Sequence, residues 1–336
     1  MNMTGRIKGL GGVGSPVFSR SVVFGVTLLF LLFAIGTLLV PQFASYTNIR
    51  SMLLLAAFLG LASLGQTLCA LVGGIDMSIS YVIGSSNIML AGLLNWGVPW
   101  LPACLIVLFG GIVVGILNGV LSFRLQGQTL IMTMGVGLAV VGACQITISI
   151  GSVYGGTVLG TVPQWLRDVS SMAGTTFGLP IPPIVVIWIL LAAAVVTFMT
   201  KTSMGRSFYA IGGNRLAASR ILISEYRIWL IAYAVSGAMS AITGMALLGF
   251  SGGGFVGVGD PYLFTTIAAV VIGGTSLLGG WGGYGSTIVG TLVLTILTSL
   301  LVGLGLSYAM QQAVFGLLIV PIVALYARDR SMRDQI

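Results

Sequence analysis

The sequence predicts an all-α integral membrane protein with about ten transmembrane helices and both termini in the cytoplasm. Of its 336 residues, 57% are hydrophobic and only 6% are charged, whereas soluble domains contain about 25% charged residues. The apolar residues form runs close to the roughly 20 residues that a transmembrane helix needs. The basic residues lie in the short polar gaps between these runs, which is typical of membrane topology.

The apolar runs define the predicted spans. Their approximate bounds are 21–40, 52–72, 77–97, 102–122, 129–150, 182–200, 228–250, 262–279, 285–305 and 308–326. The first run is longer than the roughly 7–15 apolar residues of a secretory signal, and no small-residue cleavage site follows it. We therefore expect a retained first helix.

The basic residues predict the orientation. If the N-terminus is cytoplasmic, all fourteen Lys and Arg residues except Arg50 and Arg167 fall on the inner side. This distribution agrees with the excess of cations in cytoplasmic loops. An even number of spans fits best. If one span after residue 227 were lost, the basic cluster of the inner loop and the C-terminal basic cluster would lie on opposite sides of the membrane.

The third span, 77–97, is the most polar one. Such a segment faces protein or a water-filled cavity more readily than lipid, so we expect it to be broken or re-entrant. Asp76 lies just before it and has two open interpretations: it orients a broken helix or lines the pathway, or it caps the helix N-terminus.

A glycine-rich tract, 273–285, is also unlike a lipid-facing helix. The candidate pathway residues are Asp76, Ser78, Ser80, Asn87, Gly273, Gly274 and Ser276.

Two connections are long enough to carry function. In the outer loop, 151–181, Pro163 is positioned to open a short helix at the membrane surface. The inner loop, 201–227, contains a Gly212-Gly213 turn followed by Asn214 as the N-cap of a short helix. We expect Ala217, Ala218 and Ile221 to share one face of that helix and to dock into a cytosolic partner. The alternative is an ordinary basic loop held at anionic lipid.

Small residues recur every four positions at Gly111, Gly115 and Gly119, and again at Ser286 and Gly290. This spacing places a small surface on one face of a helix. It is explained by packing within the chain or, alternatively, by a subunit interface.

Several absences restrict the function. The chain has no histidine, and neither lysine follows a glycine, so a Walker A motif is excluded. The three cysteines have no metal-binding spacing, and the cations form no stripe with interleaved aromatics that would indicate nucleic acid binding. Only Asp76 and Asp260 lie in or near the apolar runs, which disfavours proton coupling. No nucleophile and base pattern indicates an intramembrane enzyme. We expect no metal and no cofactor on this chain.

The sequence resembles the permeases of bacterial ABC sugar importers of the ribose-transporter class over about residues 20–330. The resemblance rests on GGIDMS at 73–78, RSFYAIGGN at 206–214, the pair Ala217-Ala218, and IAAVVIGGTSLLGG at 267–280. It implies a single transmembrane permease domain over 1–336 in the bacterial cytoplasmic (inner) membrane. The implied partners are a second permease subunit, identical or paralogous, a cytosolic ABC ATPase that uses ATP and Mg²⁺, and an extracytoplasmic substrate-binding protein.

The resemblance also implies roles for residues. It makes 214–221 the coupling helix that the ATPase receives. We expect the ATPase-coupling site to comprise Gly212, Gly213, Asn214, Arg215, Leu216, Ala217, Ala218 and Ile221. We also expect Trp165, Arg167 and Asp168 of the outer loop to dock the binding protein. The chain departs from the family pattern at Ile79-Ser80, where the family has Val-Gly, and at Arg215-Leu216, where it has Pro-Glu. Leu263 and Thr265 stand in place of two acidic residues. We therefore expect the permease subunit of an ATP-driven importer for a sugar or sugar-like solute. The alternative is an ion-coupled secondary carrier or a passive channel.

Overall fold

A computed structural model of the chain describes residues 20–125, 128–149, 157–160 and 162–317, and it confirms the all-α membrane fold. The long helices are α1 (Arg20–Leu39), α2 (Tyr46–Leu71), α3 (Ile79–Asn95), α4 (Trp100–Arg124), α5 (Thr129–Ser149), α7 (Pro183–Lys201), α10 (Glu225–Ser251) and α12 (Tyr284–Gly303). The short helices are α6 (Gln164–Ser170), α8 (Ser203–Gly213), α9 (Arg215–Arg220) and α11 (Tyr262–Ile272). Seven of the described helices are long and apolar enough to cross a membrane.

Most helix bounds agree with the predicted spans. The prediction 262–279 was wrong at its end, because α11 stops at Ile272 and the chain turns at Gly274, whose φ is 88°. The tenth predicted span starts as a helix at residue 308, but 318–326 lie outside the described residues. The total number of spans and the side of each terminus stay predictions.

The core of the bundle surrounds α2. This helix packs against α10, α11 and α12, and α10 packs in turn against α3 and α4. The helices α1, α4, α5 and α7 direct large apolar side chains outward, for example Phe30, Leu105, Ile131 and Leu190. An apolar outer surface suits lipid, which is as apolar as these side chains.

The glycine ladder of α4 packs within the chain. A Cβ on Gly111 would lie 2.6 Å from the Gly237 oxygen, and Gly115 approaches the backbone of Tyr233 and Ala234. The two backbones approach closely because these positions carry no side chain. Packing within the chain, the first of the two interpretations, is confirmed for this ladder.

The segment after α10 was not predicted. Strands β1 (Thr157–Val158) and β2 (Gly254–Phe255) pair antiparallel, and a 3₁₀ turn at Val256–Gly259 follows. This turn lies against α3, because Gly84 and Gly259 leave room for backbone atoms of Val256 and Ser80 respectively. The eighth predicted span, 262–279, therefore contains only the short helix α11, which follows this irregular stretch.

Candidate functional site

The chain between α2 and α3 is a break around a buried carboxylate. Asp76 is 2% exposed. Its Oδ1 accepts hydrogen bonds from the backbone N–H of Ser78 at 2.9 Å and from the Ser78 hydroxyl at 2.6 Å, and its Oδ2 accepts from the Ser236 hydroxyl at 2.7 Å. Ser78, and not Asp76, is the residue that precedes α3, and its side chain makes no cap bond. Asp76 therefore does not occupy the N-cap position of α3, but it accepts a backbone N–H bond just before the helix, as the capping interpretation expected. Its other oxygen holds the break against α10.

Two further helices are tied to this break. Asn118 of α4 donates from Nδ2 to the Ser78 hydroxyl at 2.7 Å, and the backbone N–H of Met77 donates to Thr133 Oγ1 of α5 at 2.9 Å. Non-helical backbone at membrane depth requires such partners, because lipid offers none. We conclude that the break is a fixed feature of the fold, braced from three helices.

The other predicted pathway residues of α3 also have protein partners. Asn87 donates from Nδ2 to the Gly244 oxygen at 3.1 Å, and its Oδ1 accepts from the Phe255 N–H at 2.9 Å. Ser80 lies where its backbone oxygen approaches Gly259. Both side chains are buried, and in this conformation Asn87 holds the segment after α10 onto α3.

The glycine tract between α11 and α12 is a compact loop. Five of its glycines have positive φ angles, a conformation that residues with a Cβ rarely adopt; they are Gly274, Gly279, Gly280, Gly282 and Gly283. Two hydrogen bonds close the loop. Thr275 Oγ1 accepts from the Gly283 N–H at 3.0 Å, and the Ser276 N–H donates to the Trp281 oxygen at 3.1 Å. Gly273 packs against Ser286 of α12. The loop is thus closed on itself.

Three separate chain segments meet at this loop without side chains between them. The Gly280 N–H donates to the Leu71 oxygen at the end of α2, at 2.9 Å. Gly212 of α8 lies against the same oxygen and against Gly279 and Gly280. We call this contact of Leu71, Gly73, Gly212, Gly279 and Gly280 the glycine junction. It joins the inner loop directly to α2 and to the glycine tract.

The predicted coupling helix is present as α9. Asn214 is its N-cap, and its side chain accepts from the Ala217 N–H at 2.9 Å, as predicted. Gly212 and Gly213 are the last residues of α8, so the prediction of a Gly-Gly turn was wrong. The expectation that Ala218 shares an outward face was also wrong, because Ala218 is only 3% exposed and packs against the core.

The outward surface of α9 is instead apolar at other positions. Leu216 is 76% exposed, Ile221 67% and Leu222 94%. Arg215, beside them, reaches back into the protein: it forms an ion pair with Glu225 at 3.1 Å and lies 5.2 Å from the centre of the Trp229 ring. The inner loop therefore combines a fixed helix with an exposed apolar patch on and just after that helix, which we call the α9 patch (Leu216, Ile221 and Leu222).

The outer loop contains the short helix that the sequence predicted after Pro163. Trp165, Arg167 and Asp168 of α6 are all exposed, and the Trp165 ring packs against Trp100 with centroids 5.1 Å apart. Residues 151–156 and 161 of this loop lie outside the described residues. All three side chains therefore lie at the surface of the described protein.

Sequence reasoning did not single out a second set of buried polar residues, on α2 and α12. Thr67 donates to Thr287 Oγ1 at 2.9 Å, and Thr287 lies 3.4 Å from Thr275 Oγ1. Ser63 and Gln66, on neighbouring positions of α2, are fully buried. The signal that sequence reasoning could have used is Gln66 itself, a glutamine in the middle of an apolar run.

Comparisons with known proteins identify the class. Residues 48–323 match the family described as "Branched-chain amino acid transport system / permease component". A probable ABC transporter permease protein of Escherichia coli is 33% identical over 302 residues, which cover 88% of this chain and 85% of the relative. The ribose import permease protein of Bacillus subtilis is 33% identical over 316 residues, covering 90% and 91%. An autoinducer 2 import system permease protein of Escherichia coli is 29% identical over 317 residues, covering 91% and 88%. No solved structure matches the chain.

Proposed function

The chain belongs to this permease family of ABC importers and is a membrane transport subunit without enzymatic activity, and we propose that it imports a sugar or a sugar-like neutral solute. Two permease subunits, identical or paralogous, line the pathway and alternate between inward-open and outward-open states. Permeases of this class act with an ATPase and a substrate-binding protein. ATP and Mg²⁺ bind to the ATPase, and the energy for the change of state comes from that partner.

The chemistry of the buried polar residues supports a neutral solute. Among the described buried side chains, Ser, Thr, Asn and Gln are the polar types, and Asp76 is the single charged one. Both oxygens of Asp76 already accept hydrogen bonds from the protein. A zwitterionic amino acid would need opposite charges, because a buried charge requires a partner. Hydroxyl and amide groups instead match the hydroxyls of a sugar, in agreement with relatives named for import of ribose and autoinducer 2.

The observation that best supports ATP coupling is the α9 patch. Exposed leucine and isoleucine side chains on and just after the short helix α9 fit an apolar groove of a cytosolic protein. Behind the patch, Ala218 is buried and Arg215 pairs with Glu225, so a force on α9 is transmitted to α10. Gly212, Gly213 and Asn214 connect the patch to the glycine junction. We propose this segment as the ATPase-coupling site.

The remaining predicted sites form part of the same proposal. Trp165, Arg167 and Asp168 of α6 are proposed to dock the binding protein, since they are exposed on the outer loop. The predicted pathway residues at 76–87 and 273–276 are proposed to shape the pathway by fixing the break and the glycine loop. The ion-coupled carrier or passive channel is the alternative.

Reconstitution in liposomes tests the proposal. The chain is reconstituted together with its cognate ATPase and binding protein. Uptake of labelled D-ribose should then require ATP on the side of the membrane that carries the ATPase. Uptake by this chain alone, without ATP, would show a carrier or channel. Leu216→Asp should abolish ATPase stimulation by the binding protein while the complex still inserts into the membrane. Ser203→Asp, an equal charge change at an exposed position of α8, is the matched control and should retain stimulation.

A further inference from the structure

The packing of α2 against α12 encloses polar side chains that the break and the glycine junction do not use. Thr67 of α2 and Thr287 of α12 are bonded to each other. Thr67 bonds to Thr287, and Asn48 near the other end of α2 bonds to Ser299 of α12, so the two helices run antiparallel. Ser63, one turn from Thr67 on α2, is therefore expected level with Thr291, one turn from Thr287 on α12. We call Ser63, Gln66, Thr67, Thr287 and Thr291 the α2–α12 seam. All five are buried.

Two members of the seam have unused hydrogen-bonding groups. Neither the oxygen nor the nitrogen of the Gln66 amide has a hydrogen-bond partner among the described residues, and the same holds for the Ser63 hydroxyl. Gln66 is 0% exposed. Native proteins satisfy most buried polar groups, so an amide with every donor and acceptor unused needs an explanation.

Helix geometry indicates where the Gln66 side chain points. Leu59, seven residues earlier and therefore on the same face of α2, packs against Ala268, Ala269 and Ile272 of α11. Gln66 lies two turns closer to the inner end of α2, beyond the last residue of α11 and level with the glycine loop. Cys69 follows it by one turn on the side of Asp76. The amide thus points into the region bounded by the break, the end of α11 and the seam.

We propose that the α2–α12 seam, with Gln66 and Ser63 as its unoccupied members, binds the hydroxyl groups of the solute during translocation. The inference rests on the proposed import function and names the residues that the solute contacts. The amide offers two donors and an acceptor, and each hydroxyl donates and accepts, so the seam pairs with adjacent hydroxyls of a sugar. In the structure described above, the Gln66 amide and the Ser63 hydroxyl are buried without hydrogen-bond partners among the described residues. When the pathway opens, water or the hydroxyl groups of the solute become hydrogen-bond partners of these groups.

Cysteine accessibility tests this without knowledge of the solute. Cys69, Cys104 and Cys144 are replaced by alanine, and Gln66→Cys is introduced in the complex with its ATPase and binding protein. A small hydrophilic methanethiosulfonate should modify this thiol at least tenfold faster during ATP turnover than without ATP. Leu68→Cys, buried against the other side of α2, is the matched control and should react slowly in both conditions. If both thiols stay equally slow during turnover, the proposal is overturned.

Transport of D-ribose gives the second readout. Gln66→Leu should lower the ribose taken up per ATP hydrolysed at least tenfold, and the melting temperature should not fall, because leucine removes unbonded polar groups from the interior. A purely structural role of Gln66 would lower the melting temperature. Thr27→Val, which removes a hydroxyl bonded to its own helix in α1, controls for loss of a polar group and should transport normally.

The outcomes separate this inference from the proposed function. Ribose uptake by the Gln66→Leu complex at the wild-type ratio to ATP hydrolysis overturns the role of the seam while the importer assignment stands. A wild-type complex that fails to take up ribose argues against the proposed solute. In that case the rate of Gln66→Cys modification still decides whether the seam opens during turnover.

Discussion

Substitution of Gly212 by alanine tests the glycine junction most directly. The added Cβ would overlap the Leu71 oxygen and the Gly280 nitrogen and would lie 3.0 Å from the carbonyl carbon of Gly279. These are all backbone atoms, so no side-chain rotation relieves the overlap. The inner loop must then move away from α2 and the glycine tract by on the order of 1 Å, at a cost of about 1–3 kcal/mol for overpacking.

The movement also weakens a hydrogen bond. The Gly280 N–H donates to the Leu71 oxygen at 2.9 Å, and a bond of this type contributes about 1 kcal/mol. We therefore expect Gly212→Ala to destabilise the permease by about 2–4 kcal/mol in total. Because α9 follows Gly212 by only a few residues, we also expect the ATPase to hydrolyse ATP with little transport.

Gly213→Ala is the matched control. Its Cβ would have no neighbouring atom within 4 Å, and alanine has a higher helix propensity than glycine by about 1 kcal/mol. Thermal unfolding of the purified permease and ATP-driven ribose uptake by the reconstituted complex are measured for both variants. Equal melting temperatures and equal transport for Gly212→Ala and Gly213→Ala would refute the role of the junction.

Three further predictions concern the break, the segment after α10 and the coupling helix. Asp76→Ala should destabilise the permease by about 2 kcal/mol or more in thermal unfolding, because it leaves buried donors unpaired, whereas Asp168→Ala on the exposed outer helix should change stability little. Gly84→Ala should destabilise the permease by about 1–3 kcal/mol, because the added Cβ overlaps the segment after α10. Gly110→Ala, whose Cβ would have no atom within 4 Å, is the control. Equal melting temperatures for these two variants would contradict this packing. Arg215→Gln should cost about 1 kcal/mol, because it removes a half-exposed ion pair and a cation–π contact, and should lower transport per ATP; unchanged coupling in the same liposome assay would argue against a fixed α9.

The sequence predicted the features that depend on local physics. Spans followed from the length of apolar runs, and their ends were accurate where a proline or a polar residue marks them, as at Pro183. Asn214 was predicted as an N-cap because capping depends on a side chain and on backbone groups within a few residues of it. The short outer helix after Pro163 was predictable for the same reason.

The features that the sequence did not predict depend on contacts between distant segments. Gly212 does not form the turn that the sequence predicted: it is helical, and its missing side chain allows the approach of α2 and the glycine tract. Ala218 is buried because α9 lies against the core, which its own six residues do not encode. Gln66 is one of several polar residues in a helix of 26 residues, and only the three-dimensional packing shows that its amide lacks a partner among the described residues.

The glycine junction and the α2–α12 seam share one helix, and this connects the two proposals. Leu71 ends α2 at the junction, and Gln66 and Thr67 lie about one turn before it. Thr67, Thr287 and Thr275 form a chain of hydroxyls from α2 through α12 to the glycine loop. Since Gly212 contacts both Leu71 and the loop without an intervening side chain, a movement of α8 displaces at least one wall of the seam. Close packing transmits such a displacement instead of absorbing it. A variant that loosens the junction should therefore also slow the modification of Gln66→Cys during ATP turnover, and modification at the unaltered rate in a Gly212→Ala background would show that the seam opens independently of the inner loop.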